Sequence, residues 1–249
     1  MALSDDQLER YARHIILKEI GGVGQQALLD ASVAVIGAGG IGSPVIQYLA
    51  AAGVGRLRLI DDDVVDLSNL QRQTLFALDD IGRPKVEAAA DRVAAINPDV
   101  MVEAVRDRID GSNAQQLLAG TDAIIDGCDN FATRLAVSDA SVALRIPLVS
   151  AAVGQFDGQL ATWRGWEADQ PCYRCLVGED PARDEVSCAE QGVLGAITGI
   201  MGSLGAAEIV RVITGYGDDV AGRLLLVDAL AFRFRTIKVS KDPACRCAL

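Results

Sequence analysis

Val33-Ala-Val-Ile36 runs without a break into Gly37-Ala-Gly39-Gly40-Ile-Gly42, and few folds accommodate that succession. A short β-branched apolar run bounded by turn residues reads as a strand buried on both faces. Glycines at 37, 39 and 42 let the backbone turn sharply and approach a pyrophosphate. The helix opening near Ile41 then aims free N–H groups and the positive end of its dipole at that anion. A second strand, Arg56 to Ile60, ends in Asp61-Asp62-Asp63 and puts an acid 24 positions after Gly37, near the spacing of a carboxylate that holds a ribose hydroxyl. A bare turn would need the glycines but not the spaced acid, so the unit reads as a nucleotide site. NAD, FAD and ATP all fit at this point.

Beyond this unit strands and helices alternate. Ser4-Asp-Asp-Gln7 has the form of a capping box and predicts a short helix carrying Arg10, Tyr11, Arg13 and His14. Gln25 to Ala31, Ile41 to Ala52 (closed by Gly53), Lys85 to Ile96 (opened by Pro84, stopped by Asn97-Pro98) and a stretch from Asn130 to about Leu144 read as further helices. Strands are expected at 100–105, 122–126 and 147–151. The later strands, 158–163, 223–227 and 233–239, have few helices between them apart from a small-residue helix, Val193 to Ile213. The pattern predicts a Rossmann-like, doubly wound α/β sheet, parallel in its N-terminal half and continued by antiparallel strands. A single domain over 1–249 is expected, with a helical arm at 1–31 and a cysteine-bearing insertion at 166–190.

Half of the residues are apolar and only 4% aromatic, which suits a sheet of Val, Ile and Leu covered by Ala-rich helices. A formal charge of −11 argues against a nucleic-acid partner. The polar N-terminus lacks a signal pattern, so a cytoplasmic protein is expected, with its six cysteines serving as thiols, metal ligands or nucleophiles. The longest low-charge stretch, Gly192 to Ala207, has 16 residues and falls short of a membrane span.

The chemistry is selected by charge. Asp61, Asp126 and Asp129 fall at or just beyond strand ends, where ligands of an open α/β sheet lie. Carboxylates beside phosphates repel unless a cation bridges them, so Asp129 points to Mg²⁺ and a triphosphate. Arg72 and Lys85 follow the second strand and can supply the positive charge that a triphosphate needs. A nicotinamide enzyme has less use for them and wants an acid or base near its hydride, yet the only histidine, His14, precedes the first strand. A dehydrogenase and a non-catalytic nucleotide-binding scaffold are the competing readings.

Arg10-Tyr-x-Arg13-x-Ile-x-Leu17, Gly37-x-Gly-Gly-x-Gly42, Asp61-x-Asp63 with Leu67-Ser-Asn-Leu-Gln-Arg72-Gln, Gly82-x-Pro-Lys85, and Asp129-Asn130 with Arg134 together resemble the MoeB/ThiF adenylyltransferases, relatives of the ubiquitin-activating enzymes. The resemblance spans nearly the whole chain. It implies ATP-dependent activation of the C-terminal Gly-Gly carboxylate of a ubiquitin-like sulfur carrier, of MoaD or ThiS type, as an acyl-adenylate with release of pyrophosphate, in molybdopterin or thiamine synthesis. By the same match Gly40, Asp61, Ser68, Asn69, Leu70, Gln71, Arg72, Lys85, Asp129 and Asn130 contact nucleotide, and Asp129 positions Mg²⁺. Arg13 is matched to an arginine that reaches the neighbouring subunit's phosphates, which implies a homodimer. A fused sulfurtransferase domain is lacking, so a separate sulfur donor is expected.

Cys172-Tyr-Arg-Cys175 and Cys245-Arg-Cys247 are two close pairs, and four thiolates suffice for a structural, tetrahedral Zn²⁺. The relatives resembled here carry Cys-x-x-Cys at both places; the second pair is one residue shorter in this chain. A redox-active pair and unligated thiols are the alternatives. Cys188 precedes a helix whose dipole can lower a thiol pKa, and it aligns with a cysteine that in some relatives forms a covalent link or persulfide with the carrier. A spectator thiol is the competing reading there. Cys128 reads as a small buried filler.

Overall fold

The apolar run that opens the nucleotide unit becomes the middle of the sheet. The computed structural model describes residues 3–178 and 192–248. Strands β1 (Ser32–Ile36), β2 (Arg56–Ile60), β3 (Met101–Val105), β4 (Ala123–Asp126) and β5 (Leu148–Val153) run parallel. Strands β6 (Asp157–Trp163), β7 (Arg223–Asp228) and β8 (Arg233–Lys238) continue the same eight-stranded sheet antiparallel, in the order 3-2-1-4-5-6-7-8. The change of direction has a local cause. Only residues 154–156 join β5 to β6, too few for a parallel crossover.

Helices cover both faces, as the doubly wound reading requires. Those described are α1 (Asp5–Ile15), α2 (Gly21–Asp30), α3 (Gly42–Ala52), α4 (Lys85–Ile96), α5 (Ala114–Leu118), α6 (Phe131–Leu144), α7 (Tyr173–Val177) and α8 (Gly195–Thr214). Val33 and Val35 pack with Leu28 of α2, Leu49 of α3, Val93 of α4 and Ile197 of α8. Ala34 and Ile36 point the other way, toward Leu118 of α5, Val137 of α6 and Tyr173 of α7. The alternation of a strand's side chains thus builds one core on each face.

The N-terminal arm is tied to this body. Ser4 caps α1 with both capping-box bonds formed, and Tyr11 is 2% exposed with its hydroxyl accepting from Asn97 Nδ2 at 2.8 Å. Gly53, left-handed at φ +80°, leaves room for that ring, since a Cβ there would sit 2.4 Å from the Tyr11 hydroxyl.

Three elements differ from the sequence reading. Helix α2 begins at Gly21 rather than Gln25, because packing overrides glycine's poor helix propensity: a Cβ at Gly24 would lie 3.0 Å from Ile20 and 3.5 Å from Thr214 of α8. Helix α5 was not anticipated, its five residues being too few for a periodic signal. Helix α8 runs on to Thr214 and, at 20 residues, is long and apolar enough to cross a bilayer by length and composition. It lies instead across the sheet, burying Ile197, Met201 and Ile209, with Gly205 so close to β4 that a Cβ would meet Ile125 Cδ1 at 2.7 Å.

The strand-to-helix turn is the tightest point. A Cβ on Gly42 would stand 1.9 Å from the carbonyl oxygen of Gly37, which no rotamer can relieve. Gly42→Ala is therefore expected to cost about 3 kcal/mol, as overpacking against fixed backbone does, measured as a lowered urea midpoint at unchanged slope. An unchanged midpoint would mean that the turn has slack.

Candidate active site

Parallel strand order reverses between β1 and β4, and a cleft of about 630 Å³ opens above their carboxyl ends. Its floor is the glycine turn. Among the described residues, the N–H groups of Gly39, Gly40 and Ile41 have no partner within the protein, and they precede α3, so donors and helix dipole converge on one spot. Gly39 faces open space: the only heavy atom near an added Cβ is Gln73 Nε2 at 3.8 Å. Gly40 has a packing reason as well, because Thr198 of α8 lies 3.1 Å from where its Cβ would be.

Asp61 stands beside the turn at the end of β2. Its Oδ2 accepts the Ala38 N–H at 2.7 Å and its Oδ1 the Asp63 N–H at 2.9 Å. Burial pushes its carboxyl above the ordinary carboxylate value, while Lys85 and the two N–H donors pull the other way. Lys85, the first residue of α4, is 5% exposed and places Nζ 2.9 Å from Asp63 Oδ2. Arg72 donates back to the Ser68 carbonyl at 3.1 Å. Asn69 closes the turn before it, accepting from the Asp66 N–H at 3.2 Å. Asn130 caps α6 through the Thr133 N–H at 2.8 Å. Between Cys128 and Asn130, Asp129 is exposed to the cleft and makes no ion pair among the described residues.

The structure thus gathers Gly40, Asp61, Asn69, Arg72, Lys85, Asp129 and Asn130 around one cleft, although they are spread over some 90 positions. Ser68, Leu70 and Gln71 lie off the cleft wall. Ser68 and Gln71 are exposed, Gln71 lying near Gly195 at the start of α8, and Leu70 packs against the core. Arg13 is on the exposed side of α1 and does not line this chain's own cleft. Cys188 falls outside the described residues. Sequence reasoning missed Gln73, 4% exposed on the cleft wall with Oε1 unpartnered, and gave no role to Arg134. The four-residue step from Asn69 to Gln73, one helical turn, was the available signal for the first.

Charge decides what can bind. Among the described residues, six carboxylates (Asp61, Asp62, Asp63, Asp107, Asp129 and Asp157) and four cations (Arg72, Lys85, Arg108 and Arg134) line the cleft. A polyphosphate beside these groups meets more negative than positive charge unless it brings a divalent cation, and Asp129, without an ion pair among the described residues, fits such a metal. No imidazole lines the cleft; His14 is turned toward Gln25 at 3.0 Å. Desolvation, with Asp126 nearby, holds the Cys128 thiol well above the ordinary value, in keeping with a small filler.

Some distance along the sheet the four remaining described cysteines converge. Sulfur separations are 3.9 Å for Cys172–Cys175 and 3.6 Å for both Cys172–Cys245 and Cys175–Cys247, all four lying within 4.8 Å of one another. A tetrahedron with Zn–S bonds of about 2.3 Å has edges of about 3.8 Å, so the donor set fits zinc, and no pair is near disulfide length. The shorter Cys-x-Cys spacing is accommodated by a 3₁₀ turn at Arg246–Ala248 that swings Cys247 round to Cys175.

A profile of the ThiF family matches residues 11–247. The chain belongs to the ThiF family. Over 249 residues it is 46% identical to a sulfur carrier protein adenylyltransferase of Thermus thermophilus, covering 98% of this chain and 92% of that protein. It is 46% identical to a SAMP-activating enzyme E1 of Haloferax volcanii over 246 residues (98% and 90% covered), and 40% identical to the molybdopterin-synthase adenylyltransferase of Escherichia coli over 246 residues (98% and 97%). Among solved structures, PaaA superposes with a TM-score of 0.81 at 27% identity over 96% of this chain and 76% of that one. Escherichia coli MccB bound to a MccA derivative gives 0.84 at 21% identity (97% and 74%), a likeness of fold. The matched span takes in the cleft residues and both cysteine pairs.

One zinc per chain is expected by elemental analysis of protein purified without chelators, and Cys247→Ser should lose it together with at least about 2 kcal/mol of stability. Metal below half an equivalent in the unaltered protein would remove the cluster as a zinc site.

Proposed function

We propose that this chain is an ATP-dependent adenylyltransferase that activates the C-terminal Gly-Gly carboxylate of a ubiquitin-like sulfur-carrier protein. One observation carries the reading: among the described residues Asp129 makes no ion pair, and it shares with Arg72 and Lys85 a cleft that holds no acid–base histidine. That set suits joining two anions and does not suit hydride transfer. The relatives' names agree on the reaction and differ in the carrier, so the chemistry is common ground and the pathway, molybdopterin or thiamine, follows from whichever carrier docks.

In this reaction a carboxylate oxygen of the carrier forms a bond to the α-phosphorus, and the bond from that phosphorus to the bridging oxygen of pyrophosphate breaks. No proton moves at the attacking group, which is already an anion, so cations and geometry take the place of a general base. Asp61 is placed to accept from the ribose hydroxyls. The Gly39 to Ile41 N–H groups receive phosphate oxygens, and Arg72 forks onto them. Lys85 leaves Asp63 for the more highly charged triphosphate. Asp129 would hold the Mg²⁺ that accompanies ATP, and the metal would supply positive charge to the pyrophosphate leaving group.

Arg13 fits the same scheme from outside. Exposed on α1 and away from its own cleft, it is available to a second copy's phosphates, so the working unit is a homodimer in the cytoplasm that takes sulfur from a separate donor protein.

ATP–pyrophosphate exchange should require both Mg²⁺ and a carrier ending in Gly-Gly. Asp129→Ala and Arg72→Ala should each lower it at least about 100-fold, the scale of losing one transition-state charge partner. Exchange unaltered by both would remove the proposed site. Arg13→Ala should be nearly inactive alone and partly rescued by mixing with Asp129→Ala, because a mixed dimer holds one intact site; failure of rescue would place Arg13 in its own cleft or outside the reaction.

A further inference from the structure

Five buried polar side chains line the cleft among the described residues: Gln73, Lys85, Thr133, Arg134 and Thr198. Four are spent within the protein. Lys85 holds Asp63 at 2.9 Å, Thr133 donates to the Ile109 carbonyl at 2.9 Å, and Thr198 to the Gly195 carbonyl at 2.7 Å. Arg134 donates to the Cys128 carbonyl and, at 2.8 Å, to the Ala151 carbonyl of β5. Gln73 is the exception: it is 4% exposed, and its Oε1 has no hydrogen-bond partner among the described residues. A buried polar group is seldom left in that state, because its hydration is lost and nothing replaces it.

The backbone fixes Gln73 where it is. Its N–H donates to the Asn69 carbonyl at 2.9 Å, its carbonyl accepts the Phe76 N–H at 3.2 Å, and the buried Leu75 and Phe76 anchor the segment in the core. The carboxamide lies against the glycine turn, with Nε2 3.8 Å from where a Cβ on Gly39 would stand. Gly39 opens the run of three residues whose N–H groups have no partner among the described residues. A carboxamide has one donor end and one acceptor end. An oxygen turned toward a phosphate would be repelled, so the end offered to an anion at the turn is the N–H. Oε1 is then left facing the wall, where no donor meets it. The unpartnered oxygen is the consequence of presenting the nitrogen.

We propose that Gln73 is a phosphate-binding residue of the nucleotide site, a neutral donor set beside the Gly39 to Ile41 N–H groups and held there at a cost in stability. The inference rests on the nucleotide reading for its ligand and adds a contact made without charge. A hydrogen bond to a charged phosphate is stronger than one between neutral groups, so losing this one should be visible in affinity.

The test uses the whole chain and the Mg²⁺ complex of α,β-methylene-ATP, titrated calorimetrically. Gln73→Met keeps the length of the side chain and removes both polar ends. It should weaken nucleotide binding about tenfold while raising the thermal midpoint by about 2 °C or more, because an unpaired buried oxygen is removed with the donor. Adenosine, which has no phosphate, should keep its wild-type affinity to within about twofold. Gln73→Glu, the same size with a carboxylate in place of the donor, should bind the nucleotide more weakly still. Wild-type nucleotide affinity in Gln73→Met overturns the proposal, as does binding no weaker in Gln73→Glu than in Gln73→Met. So does an equal loss for adenosine, which would make Gln73 part of the packing around the nucleoside. A lowered midpoint in Gln73→Met, or its failure to fold, would make the amide structural and overturn the proposal too. A wild-type chain that binds the nucleotide analogue yet catalyses no exchange would sink the adenylation reading and leave this measurement intact, and one that binds no nucleotide would sink both.

Discussion

The carbonyl of Gly37 and the backbone of Gly42 sit closer than any side chain would allow, and the rest of the molecule is arranged about that contact. It lets a strand end and a helix begin within five residues, so that unpaired N–H groups and a helix dipole share one point in space. The sheet reverses its order at the same place, which opens a cleft there. Charged groups of the cleft then follow the strand ends: Asp61 after β2, Arg72 and Lys85 beyond it, Asp129 after β4.

Among the described residues the cleft is richer in carboxylates than in cations. A site complementary to a bare polyanion would hold it too well and leave nothing for the second anion, the carrier's terminal carboxylate. A cleft that needs a divalent metal to balance its charge instead admits the nucleotide as a metal complex and lets the cation leave with pyrophosphate. Lys85 rests on Asp63, whose exposure makes it a weak partner.

The cysteine cluster joins stretches that lie far apart in the chain. The short helix between two of its cysteines packs Tyr173 against Trp163 and Phe131, while Cys245 and Cys247 close the cluster. A tail of little regular structure is thereby brought onto the body of the fold.

Much of this was legible in the residues. Periodicity and turn chemistry located all eight strands to within about two residues, since a two-sided sheet writes itself as apolar runs and helix caps are local. The glycine turn, the spaced Asp61, the basic pair and both cysteine pairs were also readable, because each is a short pattern with a physical reason. Folding decided what depends on distance between segments: that Ser68, Leu70 and Gln71 turn away while Gln73 turns in, that a Cys-x-Cys pair reaches its partners, that an apolar 20-residue helix lies on a sheet. It also decided that Arg134 is spent on carbonyls rather than on ligand, since which backbone groups a buried guanidinium meets is set by strands and helices packing together, and no window of sequence contains that information.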